Sequence, residues 1–81
     1  MTDADIRQAF LEELTKVAPD IDPDDVGEED HLQDDLELDS MDFLNLVVAL
    51  HQRLGVEIPE NDYPKIATLS LAIGYLKARF D

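Results

Sequence analysis

The chain lacks cysteine altogether, carries only six basic residues, and has no apolar run longer than the five residues Leu46 to Leu50. Without cysteine there is no disulfide framework and no thiolate metal site, so the fold must rest on packing alone. Twenty acids against six bases leave a formal net charge of −14. Such a field repels nucleic acid and anionic membrane surfaces, and it favours basic protein partners met in fast, salt-sensitive encounters. Five apolar residues are too few to cross a bilayer, which excludes membrane insertion by a helix. The first residues, M-T-D-A-D-I, have no basic region followed by an apolar stretch, and the last, K-A-R-F-D, form no lipidation signal. A soluble, cytoplasmic protein is expected.

What is present is enough for a globular fold. The chain has 81 residues, 44% of them hydrophobic, and that size predicts a single domain spanning 1–81 with one small core. Ile6, Phe10, Leu14 and Val17 recur at spacings of four, four and three, which predicts a helix over 3–18, capped by Thr2 or Asp3 and closed by Pro19. Residues 20–39 then form a long connection holding eleven acids and neither Lys nor Arg. A connection of that length is usually functional or disordered and is expected to be the most mobile part of the domain. Ile21, Val26, Leu32, Leu36 and Leu38 nevertheless offer apolar anchors back to a core. A second helix is predicted over 41–54, with Gly55 placed for the left-handed turn that ends it. V-E-I-P reads as extended. E-N-D-Y-P-K-I reads as a turn or a single short helical turn, which Pro64 could start but in whose middle it could not sit. Thr68 caps a last helix with Leu69, Ile73, Leu76 and Phe80 on one face, and Gly74 on it allows close packing. The predicted fold is all-α, a small bundle of three to four helices with a long loop between the first and second.

The second helix carries two apolar stripes. At 100° per residue, Phe43, Leu46, Val47, Leu50 and Leu54 fall within a sector of roughly 100°, and Met41, Leu44 and Val48 fall in another. One stripe suffices to hold a bundle. The other is either a widened buried face or an exposed docking surface. It begins beside Ser40, a lone hydroxyl at the helix start. Ser40 fits an ordinary N-cap, but Asp39 fits equally well and would leave that hydroxyl free. Nucleophilic catalysis needs a base nearby. His51 lies about 16 Å down the helix, and His31, in the loop, could approach but carries no distinguishing feature.

The segment D-D-L-E-L-D-S-M-D-F-L-N-L-V resembles the phosphopantetheine attachment motif of acyl carrier proteins, whose centre is D-S-L at a helix start. The resemblance covers nearly the whole chain: the first helix, the I-D-P of the loop, the L-x-x-D-L before the motif, G-V-E-I-P after the second helix and K-I-A-T-L before the last. It implies that Ser40 takes 4′-phosphopantetheine from coenzyme A through a phosphopantetheinyl transferase. It implies that Asp39 makes metal and transferase contacts during loading, and that Met41, Leu44 and Val48 face partners. The protein would then be a monomeric, non-catalytic carrier that holds no metal of its own. It would hold acyl thioesters and present them to enzymes such as an acyl-ACP synthetase or a ketosynthase, in fatty acid, polyketide or related lipid biosynthesis. The core stripe would line a cleft for the acyl chain.

This chain departs from the usual pattern in ways that point to a specialised member. Asn45, His51, Gln52 and Arg53 stand where fatty-acid carriers place acids, Phe43 stands where a smaller residue is common, and Pro64 alters the cleft wall. Met41 replaces the usual leucine at similar volume. Rival readings are an aminoacyl carrier of the D-alanyl kind, which can use a D-S motif, and an acidic interaction module that is never modified. The acidic loop fails the EF-hand template, since neither Asp20 nor Asp22 as first position puts Glu at the twelfth. Loose divalent binding by its carboxylates, with a rise in melting temperature, remains a further expectation.

Overall fold

The computed structural model describes residues 2–80. It contains three α-helices, α1 (Asp3–Val17), α2 (Ser40–Leu54) and α3 (Leu69–Phe80), with a 3₁₀ turn at Pro23–Asp25 and a 3₁₀ helix at Glu60–Ile66. No strand forms among the described residues; one isolated antiparallel bridge joins His31 to Thr68. This is the all-α bundle that the periodicities predict.

Each helix begins and ends for local reasons. Thr2 caps α1 in a reciprocal capping box with Asp5, and Asp3 and Asp5 place negative charge at the positive end of the helix dipole. Ile6, Phe10 and Leu14 are wholly buried, and the helix stops at Val17, one residue short of the predicted end, two residues before Pro19. Gly55 takes φ 70° and donates its N–H to the His51 carbonyl, closing α2 in the left-handed turn that glycine adopts without steric cost. Thr68 caps α3 by accepting the Leu71 N–H at 3.2 Å. Leu69, Ile73 and Leu76 are buried as their spacing predicts; the side chain of Phe80 lies outside the described residues.

Two local expectations are corrected. Pro64 does not start the 3₁₀ helix but sits inside it. Pro59 precedes the segment at φ −70°. Only one i→i+3 bond is lost at Pro64, and a seven-residue 3₁₀ segment held by Ile66 in the core tolerates that loss. Gly74 does not permit a close approach: a Cβ there would meet no atom within 4 Å.

Helix α1 is the central element, packing on both α2 and α3. Among the described residues no Cα of α2 comes within 8 Å of one in α3 or in the 3₁₀ helix. The seam between α2 and those elements is therefore bridged by side chains alone.

The 20–39 connection is pinned. Leu32 and Leu38 are buried, and Ile21, Val26 and Leu36 are half-buried against the core. The Leu32 N–H donates to the Ala67 carbonyl at 2.9 Å, and the Ser70 N–H donates to the Glu28 carbonyl at 3.0 Å, fastening the loop to the start of α3. Its acids are structural as well as charged. Carboxylates of Asp22, Asp30, Asp35 and Asp39 accept backbone N–H groups of Asp24, Gly27, His31 and Asp42 at 2.7–2.9 Å. Short acidic side chains close turns that the backbone cannot close itself.

Candidate functional site

The site begins with the question of which residue caps α2. Asp39 does: its backbone is extended (φ −82°, ψ 177°), and its Oδ1 accepts the Asp42 N–H at 2.7 Å. Its carbonyl accepts the Phe43 N–H at 3.0 Å. Ser40 is thus the first helical residue and is not the cap. Its side chain is exposed, and its hydroxyl makes no hydrogen bond among the described residues. Among the described residues no histidine or carboxylate hydrogen-bonds to it, although His31 and Asp34 line the same cleft; a nucleophilic serine is activated by such a bond. The backbone N–H groups of Ser40 and Met41 in the first turn have no acceptor among the described residues, beside the positive end of the dipole.

The two stripes of α2 separate as the geometry predicts. Phe43, Leu46, Val47 and Leu50 are buried and Leu54 is half-buried. Met41, Leu44 and Val48 are 68%, 43% and 53% exposed. The widened buried face is excluded, and an apolar surface runs from Ser40 along the helix. Leu71, 50% exposed on α3, is a further surface apolar residue that the sequence reading did not single out. Its place off the Leu69–Ile73–Leu76 stripe is the signal that could have found it.

A cleft of about 470 Å³ opens next to Ser40, between the start of α2, residues 31–34 of the loop and the 3₁₀ helix. Phe43, Leu44, Tyr63, Pro64 and Ala67 line it, and His31, Gln33, Asp34 and Glu60 form its polar parts. Phe43 and Pro64, expected at the cleft wall, are both there. Tyr63 was missed by sequence reasoning, because a tyrosine in a short irregular segment carries no periodic signal. It meets Phe43 edge-on, with ring centroids 5.4 Å apart and planes at 69°.

The charges are arranged away from the stripe. Arg53 turns to α1, donating to Glu13 at 2.8 Å and Glu12 at 2.6 Å, while Lys16 pairs with Glu13 at 3.1 Å. Hydrogen bonds from Arg53 and Gln8 hold the Glu12 carboxyl below its ordinary value. Burial raises that of Glu13, but Arg53 and Lys16 outweigh it and the net direction is down. Asp62 is lowered chiefly by the Tyr75 hydroxyl, which donates to it at 2.6 Å. Arg7, Lys65, Lys77 and Arg79 pair with Glu28, Asp62, Asp3 and Asp62. All six bases are engaged, and within 20–39 Glu28 alone has an ion-pair partner among the described residues. No group of three or more His, Asp or Glu among the described residues is placed to hold a metal ion. The loop carboxylates of Asp22, Asp30 and Asp35 are spread along turns whose backbone N–H groups they accept.

An exposed serine at a helix start, an apolar surface beside it and a cleft within reach together define a carrier domain. A family profile described as "Phosphopantetheine attachment site" matches residues 4–76. The chain is 34% identical over 73 residues to the acyl carrier protein of Wolinella succinogenes, covering 90% of each chain. It is 40% identical over 58 residues to that of Lactobacillus johnsonii, covering 72% of each. Its fold is similar to a solved structure of the acyl carrier protein from Enterococcus faecalis, with a TM-score of 0.80 and 29% identity, covering 96% of this chain and 98% of that one. The chain belongs to the acyl carrier protein family. Its role is that of an acyl carrier, and its cofactor is covalently bound 4′-phosphopantetheine. The site fits that group: a free hydroxyl, unpartnered N–H donors for a phosphate, and an open cleft alongside. No helix among the described residues is long and apolar enough to cross a membrane.

Proposed function

We propose that Ser40 is the attachment residue and that 1–81 works as one carrier domain, without catalysis of its own. The observation that carries this reading is the division of labour at the start of α2: Asp39 caps the helix, and the Ser40 hydroxyl is left exposed and unbonded. In loading, the Ser40 oxygen attacks the pantetheine-side phosphorus of the coenzyme A pyrophosphate. A new P–O bond forms, the pyrophosphate P–O bond breaks, 3′,5′-ADP leaves, and the serine proton passes to a base of the transferase. The bound group supplies the thiol that this cysteine-free chain lacks. Asp39 spends one oxygen on the cap; its other oxygen is available to a transferase-held divalent ion. Met41, Leu44 and Val48 form the apolar surface on which the phosphopantetheinyl transferase and the acyl-loading and acyl-processing enzymes dock. The free N–H groups of Ser40 and Met41 favour the phosphodiester.

The charge distribution supports a specialised carrier in a dedicated pathway. Arg53 is neutralised by α1, and α2 carries little negative charge, so a basic partner surface meets the loop acids rather than the helix. The test is intact mass after incubation with a broad-specificity phosphopantetheinyl transferase, coenzyme A and Mg²⁺. The chain gains one phosphopantetheine and Ser40→Ala gains none; a gain retained in Ser40→Ala would overturn the assignment.

A further inference from the structure

The cleft beside Ser40 has an edge-to-face aromatic pair in its lining, and we propose that Phe43 and Tyr63 are specificity-determining residues that restrict the sheltered cargo to short acyl groups. This rests on Ser40 as the attachment point. An acyl group on an arm anchored there reaches the interior by folding back into the cleft that Ser40 itself lines. That cleft leads into the seam where α2 and the 3₁₀ helix are joined by side chains alone.

Along α2, Phe43 stands about 4.5 Å from Ser40, Leu46 about 9 Å and Leu50 about 15 Å by helix rise. Phe43 is thus the first buried residue that a chain entering from Ser40 meets. Across the seam its ring is met edge-on by Tyr63, at a centroid distance of 5.4 Å. The aliphatic residues of α2 that would solvate a long chain lie further along the helix: Leu46 and Leu50 are both fully buried. A group of a few carbons stays in the outer cleft, against Leu44, Pro64 and the ring edges. A longer chain must drive the rings apart and give up their edge-to-face contact, and Phe43, only 5% exposed, is already packed into the core. Its far carbons otherwise remain in water or on the surface of a partner.

The test loads wild type, Phe43→Val and Tyr63→Ala with acetyl-, hexanoyl- and decanoyl-phosphopantetheine from the corresponding acyl-coenzyme A. Intact mass establishes loading, and melting temperature reports shelter. In wild type, the decanoyl form melts no higher than the hexanoyl form. In either variant it melts higher by more than about 10 °C, the scale expected when four more methylenes leave water. Tyr63 is half-buried, so Tyr63→Ala keeps the test valid should Phe43→Val fold poorly. A wild-type melting temperature that climbs from acetyl to decanoyl as steeply as in the variants would overturn the filter while leaving Ser40 as the attachment residue. Absence of any mass gain would overturn the attachment reading and the filter with it.

Discussion

At Asp39 and Ser40 two adjacent residues divide what one could have done. Serine and aspartate are both good caps, and the backbone settles the matter by holding Asp39 extended and Ser40 helical. Asp39→Ala is expected to lose about 1 kcal/mol, and its melting temperature to fall by about 4–8 °C. Ser40→Ala should stay within about 0.5 kcal/mol of wild type while losing all loading. Paired thermal melts distinguish the two; equal destabilisation would mean that Ser40 also caps. Three residues upstream of Ser40, Glu37 holds φ 60°, a left-handed conformation that a residue with a Cβ adopts at a cost. Glu37→Asn keeps the turn and relieves the strain. A gain of about 1 kcal/mol is expected in denaturant unfolding.

Helix α3 contains a residue with no structural task. Gly74 is exposed and open on the Cβ side, so its flexibility only weakens the helix. Gly74→Ala is expected to stabilise by about 0.5–1 kcal/mol, read from the midpoint of urea unfolding at unchanged slope. The 20–39 connection behaves as an element in its own right. Leu32 fastens it by side chain and backbone together, being wholly buried and bonded to Ala67. Hydrogen exchange should therefore find the amides of Leu32, Leu38 and Ser70 protected, and those of the exposed Gln33 and Asp34 fast. Uniformly fast exchange across 28–38 would show that the anchors do not hold.

Over the whole molecule the dominant fact is uncompensated negative charge. Every base is already paired within the fold, so added salt relieves repulsion among the remaining acids and raises the melting temperature. Mg²⁺ at matched ionic strength is expected to do no more, because the described carboxylates form no cluster for it. Acid acts in the opposite sense on the ion pairs. Glu12, Glu13 and Asp62 have folded-state values below their ordinary 4.5, 4.5 and 3.8. Their stabilisation is complete above those ordinary values and is lost as pH falls through the lower folded-state ones. Arg53→Gln removes the chief partner of Glu12 and Glu13. It should lower the melting temperature at neutral pH by a few degrees and flatten its decline below about pH 4.5. An unchanged acid limb would show that the α1–α2 ion pairs contribute nothing to stability.

The sequence by itself determined the three helices, the two stripes of α2 and the left-handed close at Gly55. Each depends on a repeat of 3.6 residues or on one residue's backbone freedom, both local properties. It also marked Ser40, because a motif of adjacent residues is local too. Only the tertiary structure decided which of Asp39 and Ser40 caps, since both fit the grammar of a helix start. It turned Arg53 onto Glu12 and Glu13, forty-one and forty positions away in sequence, and no local rule sees across that distance. It brought Tyr63 against Phe43 from a segment without periodicity, and it placed Pro64 inside a 3₁₀ helix because burial of Ile66 outweighs one lost bond. What faces what across a seam is set by how the elements pack, and that is where the cleft beside Ser40 took its shape.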